Sequence, residues 1–277
     1  MSRIAVIGIA GESVFLSVDG FGLTGETTVA SEFHSELGGK GFNQAIAAAR
    51  YGADVAFLGA AYADDVARFE KIATLRGVKP YFIGKQARSP YAVIETDASG
   101  DNRVLVYRGA TLSETDVDLF ADEIKTADIL LLNNEVPVAV NRRAVEIAKR
   151  NGVKVILNPA PARENDAEFL EKIDLFTPNE HETLGLENYQ NVVVTLGDKG
   201  CFIKYLGRAI PAAKPKRVVD TTGAGDTFNG VLAACLADGV GIEAACEKAN
   251  IAAAIKVSRK YILDSIPFQK EIETYKE

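Results

Sequence analysis

Apolar residues in this chain come in short unbroken runs, separated by longer stretches in which polar and apolar positions alternate with helical spacing. The runs cover 4–7, 55–58, 129–132, 153–157, 175–176 and 192–196. Their continuity predicts strands buried on both faces, as in a parallel sheet. Between them, helices are predicted over 43–51 and 64–76, after the capping segment Ser113-Glu114-Thr115-Asp116, and over 137–150, where Asn151-Gly152 stops the last. This repeated alternation predicts an α/β fold, a three-layer α/β/α doubly wound arrangement around a mainly parallel sheet.

Two regions interrupt the alternation. Segments 13–18 with 27–33, and 91–96 with 103–107, read as β-hairpin material, and Asp97-Ala98-Ser99-Gly100-Asp101-Asn102 supplies turn chemistry between the second pair. They predict a small β-sheet lid drawn from about residues 12–36 and 90–108. With no long linker, repeat or low-complexity tract in sight, the expectation is one domain spanning 1–277 and carrying that lid.

Composition narrows the function classes. Of 277 residues, 31 are basic and 38 acidic, so the net charge is −7, and no dense Lys/Arg run offsets it. That field disfavours a nucleic-acid partner. Cys201, Cys235 and Cys246 form no CxxC pair and leave an odd thiol, which gives a disulfide framework or zinc knuckle no support. The apolar start from Ile4 to Ala10 is far shorter than the roughly 18 residues needed to span a bilayer. A first buried strand, no membrane partner and a cytoplasmic location are expected.

Glycine-rich and polar segments follow the predicted strands one after another: Gly8 to Glu12, Asn133-Asn134-Glu135, Asn158 to Ala162, Thr177 to Glu180, Gly197 to Gly200 and Asp220 to Asp226. In an open parallel sheet these positions share the carboxyl edge, where ligands bind. The sharpest is Asp220-Thr221-Thr222-Gly223-Ala224-Gly225-Asp226, which leads into an apolar helix from Phe228 to Ala237. A Gly-Ala-Gly turn at a helix start presents backbone N–H groups and the positive helix end to an anion such as phosphate. Asp226 is placed there to accept a proton from a hydroxyl nucleophile; taken alone, it reads equally as an acid that favours the helix dipole. Leu37 to Gln44 sets three glycines around Lys40 and exposes amides, a cation and Asn43 to a small polyol, or forms a tight turn with Lys40 in solvent. Gly39-Lys40 and Gly84-Lys85 are not followed by Ser or Thr, which excludes a P-loop, and Gly8-Ile9-Ala10-Gly11 lacks the dinucleotide-binding spacing.

Five segments in order, Gly38-Gly-Lys-Gly-Phe-Asn-Gln44, Asn158-Pro-Ala-Pro-Ala-Arg163, Thr177-Pro-Asn-Glu180, Thr195-Leu-Gly-Asp-Lys-Gly200 and Asp220 to Gly230, give the chain a close resemblance to the ribokinase-like (PfkB-type) carbohydrate kinases. The resemblance implies ATP-dependent phosphorylation of a sugar hydroxymethyl group, with Asp226 as base and Gly223, Ala224 and Gly225 as anion hole. It implies sugar contacts at Gly11, Ser13, Gly38, Gly39, Lys40, Asn43 and Glu135. ATP contacts are implied at Asn179, Thr195, Gly197, Gly200, Gly225 and Asn250, and Glu182 is implied to hold Mg²⁺ through water. It further implies lids paired in a homodimer.

Several positions depart from the family pattern. After the first strand the family's Asn-x-Asp is replaced by Gly11 and Ser13 around Glu12, which leaves open whether Glu12 reaches the sugar instead. In a monovalent-cation loop, Asp220 and Thr222 match as K⁺ ligands, whereas Lys256, Arg259, Tyr261 and Ser265 fill the remaining positions, so weak K⁺ activation is expected and the Lys256 ammonium is a candidate replacement for the ion. Few residues separate Glu182 from Asn191, which predicts a more open adenine side. His34 and His181 lack metal-ligand spacing and read as structural or surface residues. The expected function is an ATP:sugar kinase acting on a pentose or ketose. A nucleoside kinase of the same fold, with Phe42 stacking on a base, and a catalytically silent sugar or nucleotide sensor are the alternatives.

Overall fold

The structure, a computed structural model, describes residues 1–99 and 101–276. In chain order its elements are β1 (Arg3–Ile7), β2 (Gly11–Ser17), β3 (Glu32–Gly38), α1 (Lys40–Arg50), β4 (Asp54–Tyr62), α2 (Val66–Leu75), β5 (Val78–Lys85), β6 (Tyr91–Thr96), β7 (Asn102–Tyr107), α3 (Glu114–Leu119), α4 (Ala121–Lys125), β8 (Ile129–Asn133) and α5 (Val138–Arg150). They continue with β9 (Lys154–Asn158), α6 (Ala167–Leu170), β10 (Leu175–Phe176), β11 (Val193–Thr195), β12 (Cys201–Ile203), β13 (Arg208–Ile210), α7 (Ala224–Ala237), α8 (Ile242–Val257) and α9 (Gln269–Glu273).

Six strands form a parallel sheet in the order β10-β9-β8-β1-β4-β5. Alternation along β1 explains why both faces are covered. Ile4 and Val6 join a core with α1, α7 and α8, while Ala5 and Ile7 join a second core beneath α3, α4 and α5. The chain winds outward in one direction from β1 through β4 to β5 and in the other through β8 to β10, so the order reverses at the β1/β8 boundary. Ligands bind outside the strand carboxyl ends at such a reversal. Here those ends are Ile7 and Asn133.

The structure moves several predicted elements. The run at 192–196 is not a strand of the six-stranded sheet; β11 pairs antiparallel with β12, and β12 with β13, while two isolated parallel bridges join Val192 to Phe176 and Thr195 to Asn179. β5 lay outside the predicted strands because Lys79, Pro80 and Gly84 break its apolar run, which an edge strand tolerates. Residues 64–76 begin in a short 3₁₀ turn, so α2 starts at Val66. α1 begins at Lys40, three residues before the predicted start, because Gly39 takes φ 121° as its N-cap, a conformation glycine adopts without Cβ strain.

The lid is a four-stranded sheet ordered β3-β2-β6-β7. Its second strand is Glu32–Gly38 rather than 27–33, paired antiparallel with β2 from Gly11↔Gly38 to Ser17↔Glu32. Polar Glu32, His34 and Glu36 share one face of β3 and meet the body there, Glu32 and Glu36 through hydrogen bonds and His34 by stacking on Tyr261, so the strand carries no apolar alternation to read. The β6–β7 turn includes Gly100, which lies outside the described residues. Beside it, Asp97 accepts the N–H groups of Ser99 at 2.9 Å and Asp101 at 3.1 Å.

Candidate active site

Asp226 sits in the first turn of α7 and is 8 % exposed. Such a carboxylate requires donors, and α1 supplies them. Asn43 Nδ2 donates to Oδ2 at 2.8 Å, and Gln44 Nε2 donates to Oδ1 at 3.3 Å. Gln44 Nε2 also donates to Asn158 Oδ1 at 3.1 Å, and Asn158 Nδ2 donates to the Thr177 carbonyl at 2.8 Å. Thr177 Oγ1 donates to Asn229, whose Nδ2 returns to the Gly225 carbonyl at 2.8 Å. The acid is thus fixed by a chain of amides running from α1 through the ends of β9 and β10 back to α7. The resemblance implies a sugar contact at Asn43 and a base at Asp226 but no bond between them, and it gives Gln44 and Asn158 no role. Their signal was the pair of amides within otherwise apolar surroundings, which a buried position must satisfy.

The turn before α7 has the geometry of an anion cradle. Gly223 is its N-cap at φ 75°, in the left-handed region, and Thr227 Oγ1 donates to the Gly223 carbonyl at 2.9 Å. The Ala224 N–H closes on the Thr221 carbonyl at 3.2 Å. Helix geometry leaves the Gly225 and Asp226 N–H groups without an intrahelical acceptor. A side chain added at Gly225 would meet open space rather than packed protein.

A charged pair stands beside it. Glu135 follows β8, its N–H donates to Asn133 Oδ1 at 2.9 Å, and its Oε2 accepts the Lys40 backbone N–H at 2.9 Å. Burial, reinforced by the Asp226 charge and opposed by Lys40, pushes Glu135 up to about 7. The Lys40 ammonium is held above its ordinary value, chiefly by Asp226 and further by Glu135 and Glu182, with burial opposing. One cation therefore lies in the field of three carboxylates, which hold it protonated.

On the lid side, Gly11 and Gly38 are register partners, and Ser13 Oγ lies so close to Gly38 that a side chain there would collide with it. Ser13 is buried on this face. Glu12 points the other way, as alternation along a strand requires, and Arg68 Nη2 donates to it at 2.7 Å. It does not stand in for an inward-facing acid. Phe42 is fully buried and packs edge-on against Phe57 with ring centroids 5.4 Å apart, so it is a core residue unavailable to stack on a base.

Toward the β10 and β11 ends, Asn179 and Thr195 form a parallel bridge, and the Thr195 N–H donates to the Pro178 carbonyl at 2.8 Å. Asn179 Oδ1 accepts the His181 N–H at 2.8 Å, and the Asn179 N–H donates to Glu182 Oε2 at 3.0 Å. Gly197, at φ 59°, opens a 3₁₀ turn and Gly200, at φ 93°, caps its end. Asn250 is buried and donates to the Ile210 and Pro211 carbonyls at 3.3 and 2.9 Å, which ties α8 to the strand end at 210. Among the described residues, no cluster of three His, Cys, Asp or Glu forms a metal cage.

Residues 1–269 match the pfkB family carbohydrate kinase description. The ribokinase of Haemophilus influenzae is 35% identical over 97% of this chain and 96% of its own length. Among solved structures, Thermotoga maritima ribokinase superposes with a TM-score of 0.87 at 32% identity, covering 99% of this chain and 98% of its own. Arabidopsis thaliana ribokinase complexed with ribose and ATP superposes with a TM-score of 0.85 at 27% identity over 100% of both chains.

Proposed function

The chain belongs to the pfkB family of carbohydrate kinases, and on that premise we propose that it transfers the γ-phosphoryl group of ATP to a primary hydroxyl of a pentose or ketose. The observation that carries this reading is Asp226, an amide-held carboxylate at the mouth of a backbone cradle. Asp226 accepts the proton of the attacking hydroxyl, Asn43 and Gln44 fix the direction of its lone pairs, and the Gly225 and Asp226 N–H groups stabilise charge on the transferring phosphoryl oxygens. Lys40 adds a cation close to the same charge. Mg²⁺, held through water by Glu182, would neutralise phosphate charge when bound.

The acceptor lies between the lid and α1, against Gly11, Ser13, Gly38, Gly39, Lys40, Asn43 and Glu135; the nucleotide lies along Asn179, Thr195, Gly197, Gly200 and Gly225. A neutral Ser13 facing inward, with Glu12 engaged by Arg68 on the far side, leaves Lys40, Glu135 and Asp226 as the charged groups facing the acceptor. The burial of Phe42 favours a free sugar over a nucleoside. ADP release measured against a panel of pentoses, ketoses and nucleosides tests the proposal. Sugar-dependent turnover is the expected result; turnover with nucleosides alone would replace the acceptor, and none with any panel member would leave a sensor.

A further inference from the structure

Lys256, on α8, is 0 % exposed, and a buried ammonium survives only where acceptors and an opposing charge replace its water. Both replacements come from Asp220: Nζ donates to its backbone carbonyl at 2.9 Å and lies 3.5 Å from Oδ2. Burial pulls the ammonium below the ordinary lysine value, and Asp220 opposes that pull.

Asp220 in turn is pinned on every side. Its Oδ1 accepts the Thr222 N–H at 2.9 Å, its Oδ2 accepts the Tyr261 N–H at 3.0 Å, and the N–H groups of Val219 and Asp220 donate to the Val257 carbonyl at 2.7 and 3.2 Å. Three residues on stands Gly223, the N-cap of the anion cradle, and a side chain at that position would lie 2.9 Å from Ile262 Cγ2. The segment that presses on Gly223 is itself clamped. Tyr261 adopts φ 65°, rare for an aromatic residue, and stacks on His34 with centroids 3.6 Å apart. The buried Glu36 carboxylate accepts the N–H groups of Ile262 and Leu263 at 2.8 and 3.0 Å. The ammonium therefore lies at the junction of α8, the turn leading to the cradle, and a loop bound to the lid.

These contacts bear on the expected monovalent cation. An ion at Asp220 and Thr222 would need the carbonyl and carboxylate oxygens that Lys256 and two N–H groups already occupy, and it would stand beside a fixed positive charge. The site does not fit a resident cation.

We propose that Lys256 is a positioning residue that acts as a built-in monovalent cation, holding the turn 220–223 so that the cradle at Gly225 is formed without a diffusible ion. The inference rests on the kinase reading for its catalytic consequence, but not for its structural one.

The test compares wild type, Lys256→Ala and the volume-keeping Lys256→Met in potassium, ammonium and tetramethylammonium chloride at one ionic strength. The readouts are thermal midpoint, ATP affinity by calorimetry, and kcat with KM for ATP. Wild type is expected to give the same midpoint and ATP affinity in all three salts. Lys256→Ala is expected to lose affinity and kcat by roughly 10²-fold, the usual cost of a misplaced group, and to regain part of both, saturably, in K⁺ or NH₄⁺ only. Its midpoint should rise in those salts, because an ion that binds only the folded state stabilises it. Lys256→Met, with no room for an ion, should stay impaired in every salt. Saturable K⁺ dependence in wild type, or Lys256→Met with wild-type ATP affinity, overturns the proposal. Should Lys256→Ala fail to fold, the wild-type salt series and Lys256→Met still decide. A protein that binds ATP without cation dependence yet turns over no sugar would sink the kinase reading and leave this one standing.

Discussion

At the scale of single residues, the site separates roles that substitutions can isolate. Asp226→Asn preserves size but removes the proton acceptor, so kcat should fall about 10²- to 10⁴-fold, the worth of a positioned base, with ATP affinity and thermal midpoint little changed. If the acid served only the helix dipole, a loss of about 0.3–1 kcal/mol in stability with turnover intact would be seen instead. Gly225→Ala makes the opposite demand. The added methyl meets no protein atom and replaces a helical glycine, so stability should rise by up to about 1 kcal/mol. The same methyl stands where the phosphate would approach, so ATP affinity should drop; a gain in midpoint with unchanged affinity would remove Gly225 from the cradle. Glu135 provides a pH signature. Its carboxyl is raised from 4.5 to about 7, so the folded state holds the proton more tightly than the unfolded one. This contribution to stability is full below about pH 4.5 and is lost as pH rises through about 7. Glu135→Gln, which cannot ionise, should therefore gain in midpoint relative to wild type between pH 5 and pH 8, as scanning calorimetry at the two pH values would reveal.

Among the elements, the legible ones were those whose chemistry is local. The capping box at Ser113 and Asp116 and the Asn151-Gly152 stop can be read in sequence because a few adjacent residues satisfy the helix ends. β3 could not be read that way. Its Glu32, His34 and Glu36 face partners at 260–263, more than two hundred residues away, so its polarity signals a long-range contact that no local window contains. The same distinction divides the site. The motif at 220–226 announced its turn and acid, but the roles of Gln44 and Asn158 arise only where α1 crosses α7 and β9. That crossing depends on Gly230, whose position lies so near the Gln44 carbonyl and Ala47 that a methyl group has no room. Gly230→Ala should push the helices apart, at the roughly 1–3 kcal/mol typical of overpacking, and should also lower kcat by displacing Gln44 from Asp226. A midpoint drop with kcat unchanged would show that the amide chain tolerates the shift.

For the whole molecule, the polar segments at 8–12, 133–135, 158–162 and 177–180 follow β1, β8, β9 and β10, and a parallel sheet brings those carboxyl ends to one edge, where the reversal at β1/β8 opens a crevice; the segments at 197–200 and 220–226 follow no strand of that sheet. The lid follows a different logic. β7 is an edge strand of its sheet, and it exposes apolar side chains on both faces: Val104 and Val106 on one, Leu105, 74 % exposed, and Tyr107 on the other. An edge with free backbone groups and apolar flanks invites pairing with another strand, and natural sheets usually protect such edges with charge, proline or a covering element. Arg103 is the charged residue on this strand, at its start. A second copy offers a self-complementary cover, since a twofold interface sets the same strand against itself. The expected species in solution is therefore a homodimer of a 29.7 kDa chain. Leu105→Glu should convert it to a monomer by placing a carboxylate at the seam, and because the proposed acceptor position lies against the lid, KM for the sugar should rise more than KM for ATP. Light scattering after size-exclusion chromatography decides the first point and steady-state kinetics the second; a wild-type monomer would sink both.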